Sequence, residues 1–121
     1  TETEEYEQHE IEFLPDNVED TADKLAVAKW ILRMLGAKYG VNISFAPKIT
    51  VGKAGSGLHI HVLVEKDGEN LMATKAGLSD TAKKVIAGFL DLASPLTAFG
   101  NTVPPSYLRL VPHQEAPTNI C

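Results

Sequence analysis

The sequence predicts an α+β fold, an antiparallel sheet with two long helices packed on one face. Runs near residues 8–14 and 58–65 alternate in character with the period of a half-buried strand, while two longer segments repeat apolar residues at helical spacing. Proline and glycine punctuate these segments into the order strand, helix, strand, strand, helix, loop, which leaves the second sheet face available for chemistry.

From Gln8 to Leu14, residues Gln8, Glu10 and Glu12 fall on one side and His9, Ile11 and Phe13 on the other, until Pro15 ends the run. Asp16 and Asn17 then offer capping side chains, and Leu25, Ala28, Leu32, Leu35 and Tyr39 predict a helix from about Val18 to Tyr39, closed by Gly40. Asn42 to Ala46 reads as a short strand stopped by Pro47. Leu58 to Glu65, LHIHVLVE, is the clearest strand, and a glycine-rich loop from Val51 to Gly57 precedes it. Lys66 to Glu69 reads as a turn with Gly68 at a position favouring positive φ, followed by a short returning strand over Asn70 to Met72. Ser79 or Asp80 caps a second helix whose stripe is Ala82, Val85, Ile86, Phe89, Leu90 and Ala93. Beyond Pro95 the sequence predicts a short apolar turn. Asn101 to Ser106 holds too many breakers for regular structure, and Tyr107 to Cys121 reads as loop.

With 121 residues the chain has the length of one domain, and its 44% apolar and 22% charged content is that of a soluble, folding protein. The net charge of −5, with acid concentrated in the first twenty residues, argues against nucleic acid as a partner and favours cationic ligands. No apolar run has the length of a membrane span, and TETEEYEQHE is unlike a signal peptide, so a cytoplasmic location without membrane contact is expected. The single cysteine, Cys121, cannot pair within the chain. Its terminal place, and the lack of capping signals at either end, read as cuts through a larger protein.

Candidate chemistry centres on the histidine strand. His59 and His61 lie two apart, which directs both to one face while Leu58, Ile60, Val62 and Val64 take the other. Paired imidazoles suit a divalent ion, yet two ligands leave most coordination positions empty, so the pair alone reads equally as hydrogen-bonded polar residues. Glu10 and Glu12 could add oxygen donors if the first strand lies near the histidine strand; otherwise they are a solvated edge. The loop Gly52-Lys53-Ala54-Gly55-Ser56-Gly57 lets backbone N–H groups approach a carboxylate or phosphate, but it lacks the spacing of a P-loop or dinucleotide fingerprint. Arg109 could clamp a carboxylate with its planar fork and Glu115 could take a proton; as isolated residues they read as surface charges.

Taken together these pieces carry more than each does alone. QHEI at Gln8 to Ile11, GSGLHIH at Gly55 to His61, and RLVPHQEAPTN at Arg109 to Asn119 resemble, in order and spacing, motifs of the glutamine synthetase family. FAPK at Phe45 to Lys48, KDGENL at Lys66 to Leu71, GLSDTA at Gly77 to Ala82 and LTAFGN at Leu96 to Asn101 are similar to the same family, so the resemblance covers nearly the whole chain.

That resemblance implies an internal fragment of the catalytic domain, residues 1–121, lacking the small N-terminal β-grasp domain and the C-terminal part. It implies an ATP-dependent glutamate–ammonia ligase that forms glutamine through γ-glutamyl phosphate with Mg2+ or Mn2+, as a homo-oligomeric ring whose active sites lie between subunits. Glu10 matches a metal-ligand glutamate, Glu2 falls by spacing where the family has another, and His59 matches a histidine ligand of the second ion. His61 matches the histidine that meets the ATP phosphates, Gly55 falls in the loop lining the glutamate pocket, Arg109 matches a substrate-holding arginine, and Glu115 matches the flap glutamate that takes a proton from ammonium. Two positions depart: Ala54 stands where the family usually has asparagine, and Leu63 where serine is common. Both replace a polar contact with an apolar one, which leaves open a γ-glutamyl ligase using another amine and a non-catalytic metal-binding relative. With the further metal-ligand glutamates and downstream arginines missing, the chain alone is expected to fold without catalysing.

Overall fold

Asn17 starts the first helix. In the computed structural model, which describes residues 7–112, α1 spans Val18–Tyr39 with the Asn17 side chain accepting from the Asp20 backbone N–H at 2.9 Å. The Asn17 Nδ2 donates back to the Asp20 carboxylate, so the two side chains bracket the first turn. Gly40 ends the helix in the left-handed region, φ 70°, and the Val41 N–H returns to the Gly36 carbonyl at 2.9 Å, a closure that satisfies end carbonyls. A Cβ on Gly36 would sit 2.6 Å from the Val41 carbonyl oxygen and 3.0 Å from Ile43, so only glycine lets the chain fold back here. The return segment then brings the Phe45 ring within 5.1 Å of the Arg33 guanidinium and 5.5 Å of the Lys29 ammonium. The predicted stripe is the more covered face of α1 over its first part, with Leu25, Ala28 and Leu32 half-buried, although Leu35 and Tyr39 toward its end are exposed.

Two hairpins supply all the strand among the described residues. The first pairs β1, Glu65–Lys66, with β2, Glu69–Asn70, around Asp67 and Gly68, whose φ values of 54° and 80° are those a tight two-residue hairpin turn needs. The second pairs β3, Ala73–Thr74, with β4, Gly77–Leu78, in the register Ala73 to Leu78 and Thr74 to Gly77. The two hairpins form separate two-stranded sheets.

Ser79 joins the second hairpin to α2, Asp80–Asp91. Its hydroxyl accepts from the Ala82 N–H at 3.0 Å and donates to the Leu71 carbonyl, and its own N–H reaches the Met72 carbonyl at 3.1 Å. Ala82 is the one fully buried apolar side chain among the described residues, while Ile86, Phe89 and Leu90 of the predicted stripe stay about half exposed. Helix α3, Ala93–Gly100, follows, and then α4, Pro104–Leu108.

The expected mixture of helix and antiparallel strand is present, with local differences from the pattern-based reading. Residues 8–14 and 42–46 form no strand, and in the histidine segment pairing begins only at Glu65, so His59, His61 and Glu10 are not set on sheet faces by strand periodicity. Alternation makes a segment suitable for a strand, but a strand exists only through ladder bonds to a neighbour, and the described residues supply none for these runs. Where the sequence predicts turn and loop after Pro95 and Asn101, the chain forms α3 and, from Pro104 to Leu108, α4. Pro95 lies in the first turn of α3, and Pro104 and Pro105 open α4, positions where a missing N–H costs nothing.

The chain divides into two units, Thr1–Ala46 and Pro47–Cys121, so α1 and its return segment belong to the first and the hairpins, the glycine loop and α2 to α4 belong to the second.

Candidate functional site

Proline and glycine shape the loop that opens the second unit. The Thr50 carbonyl accepts from the Lys53 N–H at 3.3 Å, with Gly52 at φ 84° in the third position, where such a turn calls for glycine. The Pro47 carbonyl accepts from the Ser56 N–H at 2.9 Å and closes the larger loop. Inside it the Lys48 ammonium donates to the Lys53 carbonyl, and Lys48 is only 8% exposed.

Arg109 meets this loop from far along the chain. Helix α4 delivers it: Ser106 is buried, its N–H bonds the Val103 carbonyl at 2.9 Å, and Arg109 is the residue that ends the helix. A Cβ on Gly55 would lie 2.5 Å from the Pro47 carbonyl oxygen and 2.9 Å from the Arg109 Cβ. A Cβ on Gly57 would lie 2.8 Å from the Arg109 Nη2 and 3.5 Å from the His59 Nε2. The absent side chains of Gly55 and Gly57 are therefore the space that Arg109 fills. The base of Arg109 stands against Gly55 and its guanidinium against Gly57, with the His59 imidazole beside it, an arrangement suited to a carboxylate or another anion.

Of the residues singled out from sequence, the fold brings Gly55, His59 and Arg109 together, and His61 is exposed two positions beyond His59. Glu10 is exposed in the first unit, and Glu2 and Glu115 lie outside the described residues. Among the described residues no three His, Cys, Asp or Glu side chains converge, so these residues do not by themselves make a metal centre. Gly57 belongs to the glycine loop singled out from sequence, whereas Lys48 is a participant to which the sequence reading assigns no role. The available signal for Lys48 was its place in FAPK, directly after the proline that starts the loop.

The ordered motifs converge, in part, on this loop, and comparison with known proteins identifies the source of the order. A family model described as glutamine synthetase, catalytic domain, matches residues 1–121. The chain belongs to the glutamine synthetase catalytic-domain family. A glutamine synthetase of Pyrococcus abyssi is 42% identical over 113 residues, covering 93% of this chain and 26% of that relative. One from Thermus thermophilus is 41% identical over 116 residues, with 93% and 26% covered, and one from Aquifex aeolicus 43% over 115 residues, with 93% and 24% covered. The chain thus spans about a quarter of the length of the curated relatives it matches. No helix among the described residues is long and apolar enough to cross a membrane.

Proposed function

We propose that the longer protein to which this chain belongs is an ATP-dependent glutamate–ammonia ligase, and that residues 1–121 contribute part of its amino-acid and phosphate site. The observation that carries this reading is Arg109 with its base against Gly55 and its guanidinium against Gly57 beside His59, in a chain of this family. In the proposed reaction a γ-carboxylate oxygen of glutamate attacks the γ-phosphorus of ATP and ADP leaves, giving γ-glutamyl phosphate. Ammonia then adds at the acyl carbon and phosphate departs. Arg109 holds the anionic substrate against the glycine loop, Gly55 lines the glutamate pocket, and His61 meets the nucleotide phosphates. Glu115 takes the proton from ammonium that frees its lone pair. The roles of Glu2, Glu10 and His59 as ligands of Mg2+ or Mn2+ rest on the ordered motifs, and a bound ion would offset phosphate charge. A ring-shaped homo-oligomer in the cytoplasm completes the proposal, with residues 1–121 as an internal piece of the catalytic domain.

The test is glutamine formation by the full-length protein from glutamate, ATP and ammonia; absence of turnover with ammonia sinks the reading. A second reading, ligation of another amine, is favoured by Ala54 and Leu63, which place apolar groups where the family commonly has polar ones. An amine panel separates the two, since preference for ammonia over every other amine removes the second. Turnover with any amine excludes a non-catalytic relative.

A further inference from the structure

Lys48 stands out because it is a nearly buried lysine that the proposed chemistry does not use. Lysine is rarely buried to this degree unless its ammonium has a partner, and a surface role would leave the head group in water. At 8% exposure Lys48 instead turns its ammonium inward to the Lys53 carbonyl. That bond spans the Thr50–Lys53 turn and is enclosed by the Ser56-to-Pro47 backbone bond at 2.9 Å, so the side chain clasps the loop from within. Its stem also passes beside Gly55. A Cβ on Gly55 would be 3.5 Å from the Lys48 Cδ and 2.9 Å from the Arg109 Cβ, which places the lysine stem and the base of Arg109 around the same glycine.

We infer that Lys48 is a positioning residue: its ammonium holds the Lys53 carbonyl, and through that clasp it keeps Gly55 and Gly57 in place as the floor on which the Arg109 guanidinium lies. The same loop is held by the Lys53-to-Thr50 and Ser56-to-Pro47 backbone bonds, while Val51, Lys53 and Ala54 are exposed and Gly52 sits in a backbone region that glycine alone enters cheaply. Without the ammonium the Lys53 carbonyl loses its side-chain partner, while the two backbone bonds of the loop remain. The loss is therefore one of loop order more than of folding energy. The catalytic part of this inference rests on the reading of Arg109 as the group that holds the amino-acid substrate.

The experiment uses the full-length protein with Lys48→Met, which keeps the stem and removes the donors, and Lys48→Arg, which restores donors. Amide hydrogen exchange over residues 50–57 should quicken by about tenfold in Lys48→Met and by less in Lys48→Arg. The KM for glutamate should rise by about tenfold in Lys48→Met while the KM for ATP stays within about twofold, with partial recovery in Lys48→Arg. Unchanged exchange over 50–57 overturns the clasp. Faster exchange with an unchanged glutamate KM overturns the positioning of Arg109, and equal rises in both KM values with a lower melting temperature reduce Lys48 to a general structural residue. Failure of the wild-type protein to make glutamine defeats the proposed function alone, because the exchange measurement still decides whether Lys48 holds the loop.

Discussion

Gly57→Ala offers a sharp test of the geometry around Arg109, because the added methyl group meets the movable end of a side chain and no backbone. The new Cβ would stand 2.8 Å from the Arg109 Nη2, and ordinary contact begins near 3.4 Å, so the guanidinium must retreat by about 0.6 Å. Gly57 is not among the glycines with positive φ, so alanine fits its backbone, and stability should change by less than about 1 kcal/mol. The displaced guanidinium weakens one charge-assisted contact to the substrate, about 1.4 kcal/mol or tenfold in the KM for glutamate. Gly55→Ala should do the reverse. Its methyl group would lie 2.5 Å from the Pro47 carbonyl oxygen and 2.9 Å from the Arg109 Cβ, where no flexible end can yield, and should destabilise the protein by about 1–3 kcal/mol. Steady-state kinetics and thermal unfolding of both variants in the full-length protein separate the two effects. An unchanged glutamate KM in Gly57→Ala, or a melting temperature lowered as much as in Gly55→Ala, would refute the proposed contact.

The Asp16 carboxyl is held below the ordinary carboxylate range, first by its hydrogen bond from Lys24, then by the Asn17 N–H and the Lys24 charge. A depressed carboxyl contributes stability above its unfolded-state pKa and loses it as pH falls through the lower folded value, so the pair should strengthen the start of α1 at neutral pH and fade in acid. An NMR titration should show Asp16 returning toward the ordinary range in Lys24→Met; no upward movement would remove the pairing. Ser79→Ala removes the α2 cap and the donor to the Leu71 carbonyl, and should cost about 1 kcal/mol by chemical unfolding. A midpoint identical to wild type would refute the cap. The 121-residue chain by itself should make no glutamine above background and should bind Mn2+ or Mg2+ weakly, since its described residues bring no three ligand side chains together; submicromolar affinity in calorimetry would contradict this.

Local features were legible because local chemistry decides them. Asn17, Gly40 and Ser79 carry the helix ends in their own side chains or backbone freedom, and the Asp67-Gly68 turn carries its hairpin, so reading neighbours along the chain was enough. Helices α3 and α4 escape the sequence pattern for a local reason of a different kind: the prolines that read as breakers stand in the first turn, where proline starts a helix as readily as it ends one. The family was legible too, because QHEI, GSGLHIH and RLVPHQEAPTN keep their order whatever their contacts.

The tertiary structure alone decided what those letters touch. Alternation around His59 and His61 spoke for a strand, but ladder bonds need a partner that the pattern does not name, and the described residues supply none there. Likewise, nothing in the sequence says that Arg109 lies on Gly57, or that the Lys48 ammonium turns inward to Lys53. Composition and periodicity set which groups are charged, small or capping. Which charge lies against which glycine depends on contacts between residues far apart in the chain, and only the folded backbone brings those within an ångström-scale distance.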